Sequence, residues 1–175
     1  MFDPVFQYCL LGSFALLFAL SAAEKFGDRV AFRDLLRNYR ILPTPLVPLT
    51  AVLVPMIEIA TATLLVTTAN IYGVTIGLVL MMGYALAIWI NLLRGRTHID
   101  CGCLGSRKEG ISYLHVVRNL CLALILSTCL LTPLERQLIW LDYFVVTAFI
   151  ATSMLIFSSF SHLLTGYMDQ RSWWS

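Results

Sequence analysis

The chain has 175 residues, of which 59% are apolar and only 13% are charged, and its mean hydropathy is +0.81. This composition excludes an ordinary soluble domain and is typical of a polytopic membrane protein, since a helix needs roughly 20 apolar residues to cross a ~30 Å hydrocarbon core. The formal net charge of +2 is small and gives no indication of nucleic-acid binding.

Five apolar stretches are long enough to cross a bilayer, and together they occupy most of the chain. We therefore predict an all-α polytopic membrane bundle that forms a single integral membrane domain over residues 1–175. The first stretch has the length of a signal peptide, but its start lacks basic residues and carries Asp3, so we expect a retained span. The predicted spans are 5–23, 46–69, 71–93, 113–131 and 138–165.

A charged connector with helical periodicity joins the first two spans. Arginines fall on one face and apolar residues on another, which predicts a short basic amphipathic helix in the headgroup layer. Its simplest role is anchoring, because cytoplasmic loops are rich in Lys and Arg. Pro43 and Pro45 end the helix. The arginines are Arg29, Arg33, Arg37 and Arg40, and the apolar residues are Phe32, Leu35, Leu36 and Tyr39.

The second span contains an acidic residue, Glu58, and an internal proline, Pro55. At ~1.5 Å per residue, Glu58 lies near the middle of the bilayer. A charged carboxylate is costly there, so we expect Glu58 to face the bundle interior and to be neutral or hydrogen-bonded. A structural hydrogen bond and a functional intramembrane acid are both consistent with this position. Pro55 is expected to kink the helix.

A very short link around Asn70 indicates that the second and third spans form an antiparallel hairpin. Three glycines in the third span offer small residues for close helix contact, namely Gly73, Gly77 and Gly83. In the fourth span, Arg118 is expected to extend its side chain to the membrane interface.

The distribution of basic residues predicts the orientation. Of the twelve Lys and Arg residues, all but Arg136 lie on the side that holds the connector, the polar loop 94–112 and the C-terminus, if Arg118 is counted there. The positive-inside rule places this side in the cytoplasm and the N-terminus outside.

The polar loop 94–112 contains two cysteines one residue apart, Cys101 and Cys103. A disulfide between them requires the backbone to fold back, which Gly102 permits, and the resulting small ring should be strained and labile. Nearby basic residues favour the reactive thiolate form. The favoured interpretation is therefore a redox dithiol. The basic residues are Arg94, Arg96, Arg107 and Lys108.

Two alternatives remain for this loop, a metal site and a structural turn. The metal ligands would be His98, Asp100, Cys101 and Cys103, with His115 as a further candidate, but the spacing matches no common closed zinc site. No metal or cofactor is therefore predicted. The five cysteines do not indicate a disulfide scaffold, since the number is odd. The other three are expected to pack as small core residues, namely Cys9, Cys121 and Cys129.

The chain resembles the MauE family of methylamine utilisation proteins, within a wider group of MauE/DoxX-like redox-associated membrane proteins. The most specific similarity is Ile99 to Gly105, around the cysteine pair, where the family typically has Phe at the position of Leu104. Shorter similarities are Phe32-Arg33, Asn38 to Pro43, Pro55 to Glu58, and Gly95-Arg96.

The resemblance implies a multi-pass inner-membrane protein that works beside a thioredoxin-like periplasmic or membrane-anchored partner. Its role would be maturation of the disulfide-rich small subunit of methylamine dehydrogenase. It implies Cys101 and Cys103 as the redox pair, with His98 and Asp100 tuning them. The alternatives are a non-catalytic assembly or export partner for that subunit, and a small-solute transporter centred on Glu58, although five spans show no obvious inverted repeat.

The predicted orientation conflicts with a periplasmic substrate, because it places the thiols of Cys101 and Cys103 on the cytoplasmic side. Either the orientation rule fails for this chain, or reducing equivalents cross the membrane. In the second case Cys9 and Cys129, near the opposite face, would form a second dithiol.

Overall fold

The computed structural model describes residues 3–67, 70–96, 111–131 and 137–172, with backbone only for residues 70 and 160–172. These ranges are helical and contain no strand, which confirms the predicted all-α fold class. The six helices, in chain order, are α1 Pro4–Gly27, α2 Arg29–Tyr39, α3 Val47–Val66, α4 Asn70–Leu93, α5 Tyr113–Ser127 and α6 Trp140–Ser172. Short 3₁₀ turns precede α3 (Thr44–Leu46) and follow α5 (Thr128–Leu130).

Within the described residues, five segments are long and apolar enough to cross a membrane, as predicted. The first extends to Gly27, beyond its predicted end at residue 23, because Lys25 is buried in the bundle instead of facing water. The segments are Pro4–Gly27, Thr44–Val66, Ile71–Leu93, Tyr113–Leu130 and Trp140–Ser159.

The start of α1 and the junction between α1 and α2 are both capped by aspartates. The Asp3 carboxylate accepts a hydrogen bond from Val5 N at 2.9 Å, and Pro4 occupies the first turn, where a missing N–H costs nothing. The Asp28 carboxylate accepts from Ala31 N at 3.0 Å and starts α2 as soon as α1 ends. Both boundaries are therefore encoded locally.

The main core lies where α1, α3, α4 and α5 meet. Its centre contains Phe18, Leu65 and Leu126, which are each at most 1% exposed. A Cβ at Gly77 would lie 3.0 Å from Leu126 Cδ2 and 3.1 Å from the Phe18 ring. Because lipid tails are as apolar as leucine, close packing of this kind is what holds membrane helices together.

The hairpin of α3 and α4 is tight at Gly73. A Cβ there would approach the backbone nitrogen of Leu65 to 2.8 Å, which is closer than packing allows. The expectation for Gly83 is wrong: a Cβ at this position meets nothing within 4 Å, so Gly83 does not serve helix contact.

The last helix, α6, packs against α1. The hydroxyls of Ser13 and Ser153 are 2.9 Å apart, and the Ile150 side chain fills the space beside Gly12. Most of the described α6 surface is apolar and exposed, which suits contact with lipid.

The amphipathic helix α2 packs on the bundle through its apolar face, so the expectation that it simply lies in the headgroup layer is incomplete. Tyr39 joins a cluster with Ile88 and Leu92 of α4 and with Ile111, which lies two residues before α5. The helix ends at Tyr39 and is followed by Arg40, whose backbone is left-handed (φ 46°) and whose carbonyl accepts from Arg94 Nη1 at 3.1 Å. The connector and both described ends of loop 94–112 therefore lie at the same end of the bundle, as five spans require.

Candidate functional site

A buried polar cluster lies between α1, α3 and α4, with Glu58 at its centre. The Glu58 side chain is 0% exposed, so it faces the bundle interior as expected. Its Oε1 atom accepts from Lys25 Nζ at 2.6 Å and from Ser21 Oγ at 2.8 Å. The Tyr84 hydroxyl donates to the same oxygen at 2.7 Å. Three helices thus converge on one carboxylate oxygen.

Lys25 forms an ion pair with Glu58 and is only 7% exposed. Its Nζ also donates to Ser21 Oγ and lies 5.4 Å from the centroid of the Tyr84 ring and 5.6 Å from that of Phe32. A buried charge pair is tolerated when further hydrogen bonds and ring faces surround it, whereas removing one partner leaves an uncompensated charge. The pair therefore fixes α1 against α3.

Lys25 was not among the predicted site residues, because the predicted first span ends at residue 23 and leaves Lys25 in the charged connector. The signal was the periodicity of α1, because Lys25 continues a stripe of residues three or four apart that all face the core. The rest of this stripe is Leu11, Phe14, Phe18 and Ala22.

A cavity of about 340 Å³ opens beside the cluster. Residues from all six helices line it, most of them apolar, and α2 covers the end nearest the connector. Val79 is 67% exposed and Gly83 is also exposed, and both line the cavity from the middle of α4. This side of the cavity wall therefore borders the surface that faces lipid.

Three polar atoms on residues that line this cavity are buried and have no hydrogen-bond partner among the described residues. They are Glu58 Oε2, Arg118 Nε and Asn119 Nδ2. The Arg118 guanidinium lies over the Phe157 ring, 5.6 Å from its centroid. The expectation that Arg118 extends to the interface is wrong, since its side chain points toward α6 and the cavity.

His115 has a structural role at the start of α5. It is 2% exposed, and its Nδ1 lies 2.9 Å from Ser112 Oγ and 3.2 Å from Ser112 N, which forms a capping box. The cap occupies Nδ1, one of the two nitrogens that could bind a metal.

The family model described as "Methylamine utilisation protein MauE" matches residues 4–132. The chain belongs to the MauE family. A MauE of Paracoccus versutus is 33% identical over 172 residues, which is 97% of this chain and 91% of that protein. The MauE of Paracoccus denitrificans is 36% identical over 124 residues, 70% of this chain and 67% of that protein. No solved structure matches this chain.

The MauE family match covers α1 to α5, the buried polar cluster and the two loop cysteines. It includes the Lys25–Glu58 pair and Asn119 in the cavity wall, as well as Cys101 and Cys103. Helix α6 lies beyond the matched range, and Phe157 is its contribution to the cavity.

The predicted redox residues of this MauE-family chain lie outside the described residues. They are Cys101, Cys103, His98 and Asp100, so the redox, metal-site and structural interpretations of the loop stay predictions. The loop's described neighbours on either side are Arg96 and Ile111, and Ile111 packs against Leu92 in the cluster under α2. The described ends of the loop therefore lie at the end of the bundle where α2 covers the cavity.

The other cysteines are all free thiols, but they do not share one environment. Cys9 is 3% exposed and Cys129 is 7% exposed, in agreement with core packing. The same expectation is wrong for Cys121, which is exposed on α5 and faces lipid in a membrane.

Proposed function

We propose that this chain is a thiol–disulfide component of the inner membrane that supports maturation of the methylamine dehydrogenase small subunit. It belongs to a methylamine utilisation family and has five candidate membrane spans, which support the membrane location and the pathway. The observation that carries the redox part is the Cys101-Gly102-Cys103 sequence, which lies inside the family-matched range on a loop with basic neighbours. Such neighbours favour the thiolate.

The proposed step is an exchange that balances without another reactant. A thiolate of a thioredoxin-like partner, or of the subunit itself, attacks one sulfur of the Cys101–Cys103 disulfide and forms a mixed disulfide. A second partner thiolate then attacks its own mixed-disulfide sulfur. The partner leaves with a new S–S bond, and Cys101 and Cys103 remain as a dithiol. His98 and Asp100 flank the pair in sequence and are proposed to adjust its protonation.

The experiment replaces both loop cysteines with serine and measures maturation of the dehydrogenase small subunit in cells. The matched control is Cys121→Ser, which removes an exposed thiol on α5 at no cost to the core. We expect maturation to fail in Cys101→Ser/Cys103→Ser and to be normal in the control, with both proteins present in the membrane at equal amounts. Normal maturation without the loop thiols would instead support a non-catalytic assembly or export partner.

A further inference from the structure

The wall of the cavity beside Glu58 carries buried polar atoms without hydrogen-bond partners among the described residues, which packing of a core does not require. Asn119 is 6% exposed and Glu58 is 0% exposed, yet Asn119 Nδ2 and Glu58 Oε2 have no partner among the described residues. Arg118 Nε adds a second unpaired donor. Leaving a buried polar atom unpaired costs roughly 1–3 kcal/mol, so three of them in one wall indicate a ligand that completes their hydrogen bonds.

The three unpaired atoms comprise two donors on α5 and one acceptor on α3, and they lie at different depths in the bundle. At ~1.5 Å per residue, Arg118 lies roughly 7 Å along α5 from Tyr113, whereas Glu58 lies roughly 16 Å along α3 from Val47. Arg118 and Asn119 offer donors nearer the end that holds the loop, and Glu58 offers an acceptor nearer the bilayer centre. A matching ligand has oxygen atoms at two separated points.

The apolar and aromatic residues of the cavity wall favour a flat, apolar ligand that dissolves in the bilayer. The cavity-lining residues Val79 and Gly83 are exposed in the membrane-spanning part of α4, so this side of the wall borders lipid. Aromatic rings favour stacking with a flat ring system. The aromatic residues in the wall are Phe18, Phe32, Tyr39, Tyr84 and Phe157.

We infer that this cavity binds a membrane-soluble quinone, with its ring between the α5 donors and Glu58. One carbonyl oxygen of the quinone accepts from Arg118 and Asn119, and the hydroxyl on the opposite side of the reduced quinol ring donates to Glu58 Oε2. A fatty acid fits less well, because its two oxygens lie at one end of the molecule and cannot reach the α5 donors and Glu58 together. An amine-bearing lipid fits least, because its ammonium group would approach Glu58, whose charge Lys25 already balances.

A redox role for the bound quinone rests on the proposed thiol function. After an exchange step the Cys101 and Cys103 thiols must be reoxidised, which releases two electrons and two protons as the S–S bond forms. A quinone takes up two electrons and two protons and leaves as the quinol, so the two half-reactions balance. The ends of loop 94–112 lie near the Arg118 end of the cavity.

The test uses the purified full chain in nanodiscs of phosphatidylcholine and a photoreactive azidoquinone, with decylubiquinone as competitor. We expect saturable labelling that decylubiquinone displaces and decanoate does not. Asn119→Leu should weaken displacement about tenfold, the loss expected for one buried hydrogen bond. The control is Asn91→Leu, since Asn91 is also buried with an unpaired oxygen but does not line the cavity, and it should bind normally.

A second pair of variants tests the cavity itself without removing a polar group. Gly83→Leu projects into open space beside the ring site and should abolish labelling, whereas Gly83→Ala should retain it. Labelling that does not saturate, or that is equal in Asn119→Leu and Asn91→Leu, overturns the inference. Displacement by decanoate as strong as by decylubiquinone also overturns it and makes the cavity a fatty-acid site.

The two proposals fail separately. Cys101→Ser/Cys103→Ser should bind the azidoquinone normally, because the groups proposed to hold the ring are on Arg118, Asn119 and Glu58. If that variant also matures the dehydrogenase, the thiol function is wrong and the quinone site stands. If the thiols are essential but no quinone binds, the quinone site is wrong and the thiol function stands.

Discussion

The two oxygens of Glu58 have opposite surroundings. Oε1 accepts from Lys25, Ser21 and Tyr84, while Oε2 has no partner in the described part of the chain. One oxygen therefore holds the bundle together, and the other is available to a ligand. A substitution at this residue changes both properties, and the choice of side chain separates them.

Glu58→Gln keeps an oxygen that can accept the three hydrogen bonds, whereas Glu58→Leu keeps none. Both variants leave Lys25 without its counter-ion, so we expect both to lower the amount of protein in the membrane, Glu58→Gln less than Glu58→Leu, as measured by quantitative immunoblotting. If Glu58 is also a titrating group, both variants lose maturation of the dehydrogenase subunit at matched protein amounts. Normal assembly and function of Glu58→Leu would contradict both roles.

The Lys25–Glu58 pair should behave as one unit in a double-mutant cycle. Lys25→Met alone leaves a buried carboxylate without its cation, and Glu58→Leu alone leaves a buried ammonium, so each should cost about 3–5 kcal/mol of unfolding free energy. Lys25→Met/Glu58→Leu removes both charges and should cost less than either single variant. Equilibrium unfolding in mixed micelles measures this, and simple additivity would show that the two side chains are not coupled.

For single residues, prediction from the sequence was limited because long side chains can point in more than one direction. The cost of a carboxylate in lipid was enough to predict that Glu58 turns inward. The same argument could not identify Lys25 as the partner of Glu58, because a lysine side chain is long and flexible and can either face water or turn into the bundle. The inward orientation of Arg118 was missed for the same reason.

At the scale of the helices, Gly73 and Gly83 lie on the same helix, α4, but should respond oppositely to alanine. A Cβ at Gly73 would press on the backbone of α3, 2.8 Å from Leu65 N, so Gly73→Ala should destabilise the hairpin. Gly83→Ala meets open space and gains helix propensity of roughly 0.5–1 kcal/mol. Thermal unfolding in detergent measures both, and equal midpoints for the two variants would contradict this account of the hairpin.

The number and type of helices were predictable from the sequence, because span length and apolar content are local properties. The amphipathic pattern of α2 could also be predicted from its own residues, but the surface that its apolar face contacts could not. Its apolar face could have met lipid or protein, and contacts with distant residues such as Ile88 and Ile111 decide that question. Packing partners far apart in sequence leave no periodic signal.

At the scale of the whole molecule, the two ends of the bundle differ. One end holds α2, the cavity and the attachment points of loop 94–112. The other holds Cys9 and Cys129, and Gln7 Nε2 donates to the Cys129 carbonyl at 3.1 Å, which places both cysteines at that end. Which end faces the cytoplasm therefore decides where any thiol chemistry takes place.

The positive-inside rule predicts that loop 94–112 is cytoplasmic, whereas direct exchange with a periplasmic subunit requires a periplasmic loop, and thiol labelling distinguishes the two. If the rule holds, a membrane-impermeant maleimide labels inverted vesicles and not intact spheroplasts in a chain whose only cysteines are Cys101 and Cys103. Single cysteines introduced into a chain without native ones calibrate both sides: Asp34→Cys, on exposed α2, should match the loop, and Gln137→Cys should show the reverse. Loop labelling that matches Gln137→Cys would place the thiols in the periplasm.

A cytoplasmic loop would leave one way to act on a periplasmic subunit, a relay to a second dithiol at the other end. The two thiol pairs cannot touch across a ~30 Å core, so a relay needs large helix movements. Cys9 and Cys129 are buried free thiols, and buried thiols of this kind are usually inert. We therefore expect Cys9→Ala/Cys129→Ala to mature the dehydrogenase normally, with a stability loss of roughly 1 kcal/mol per site, on the order of one buried methylene. A loss of maturation as complete as that of Cys101→Ser/Cys103→Ser, at equal protein amount, would instead establish the relay.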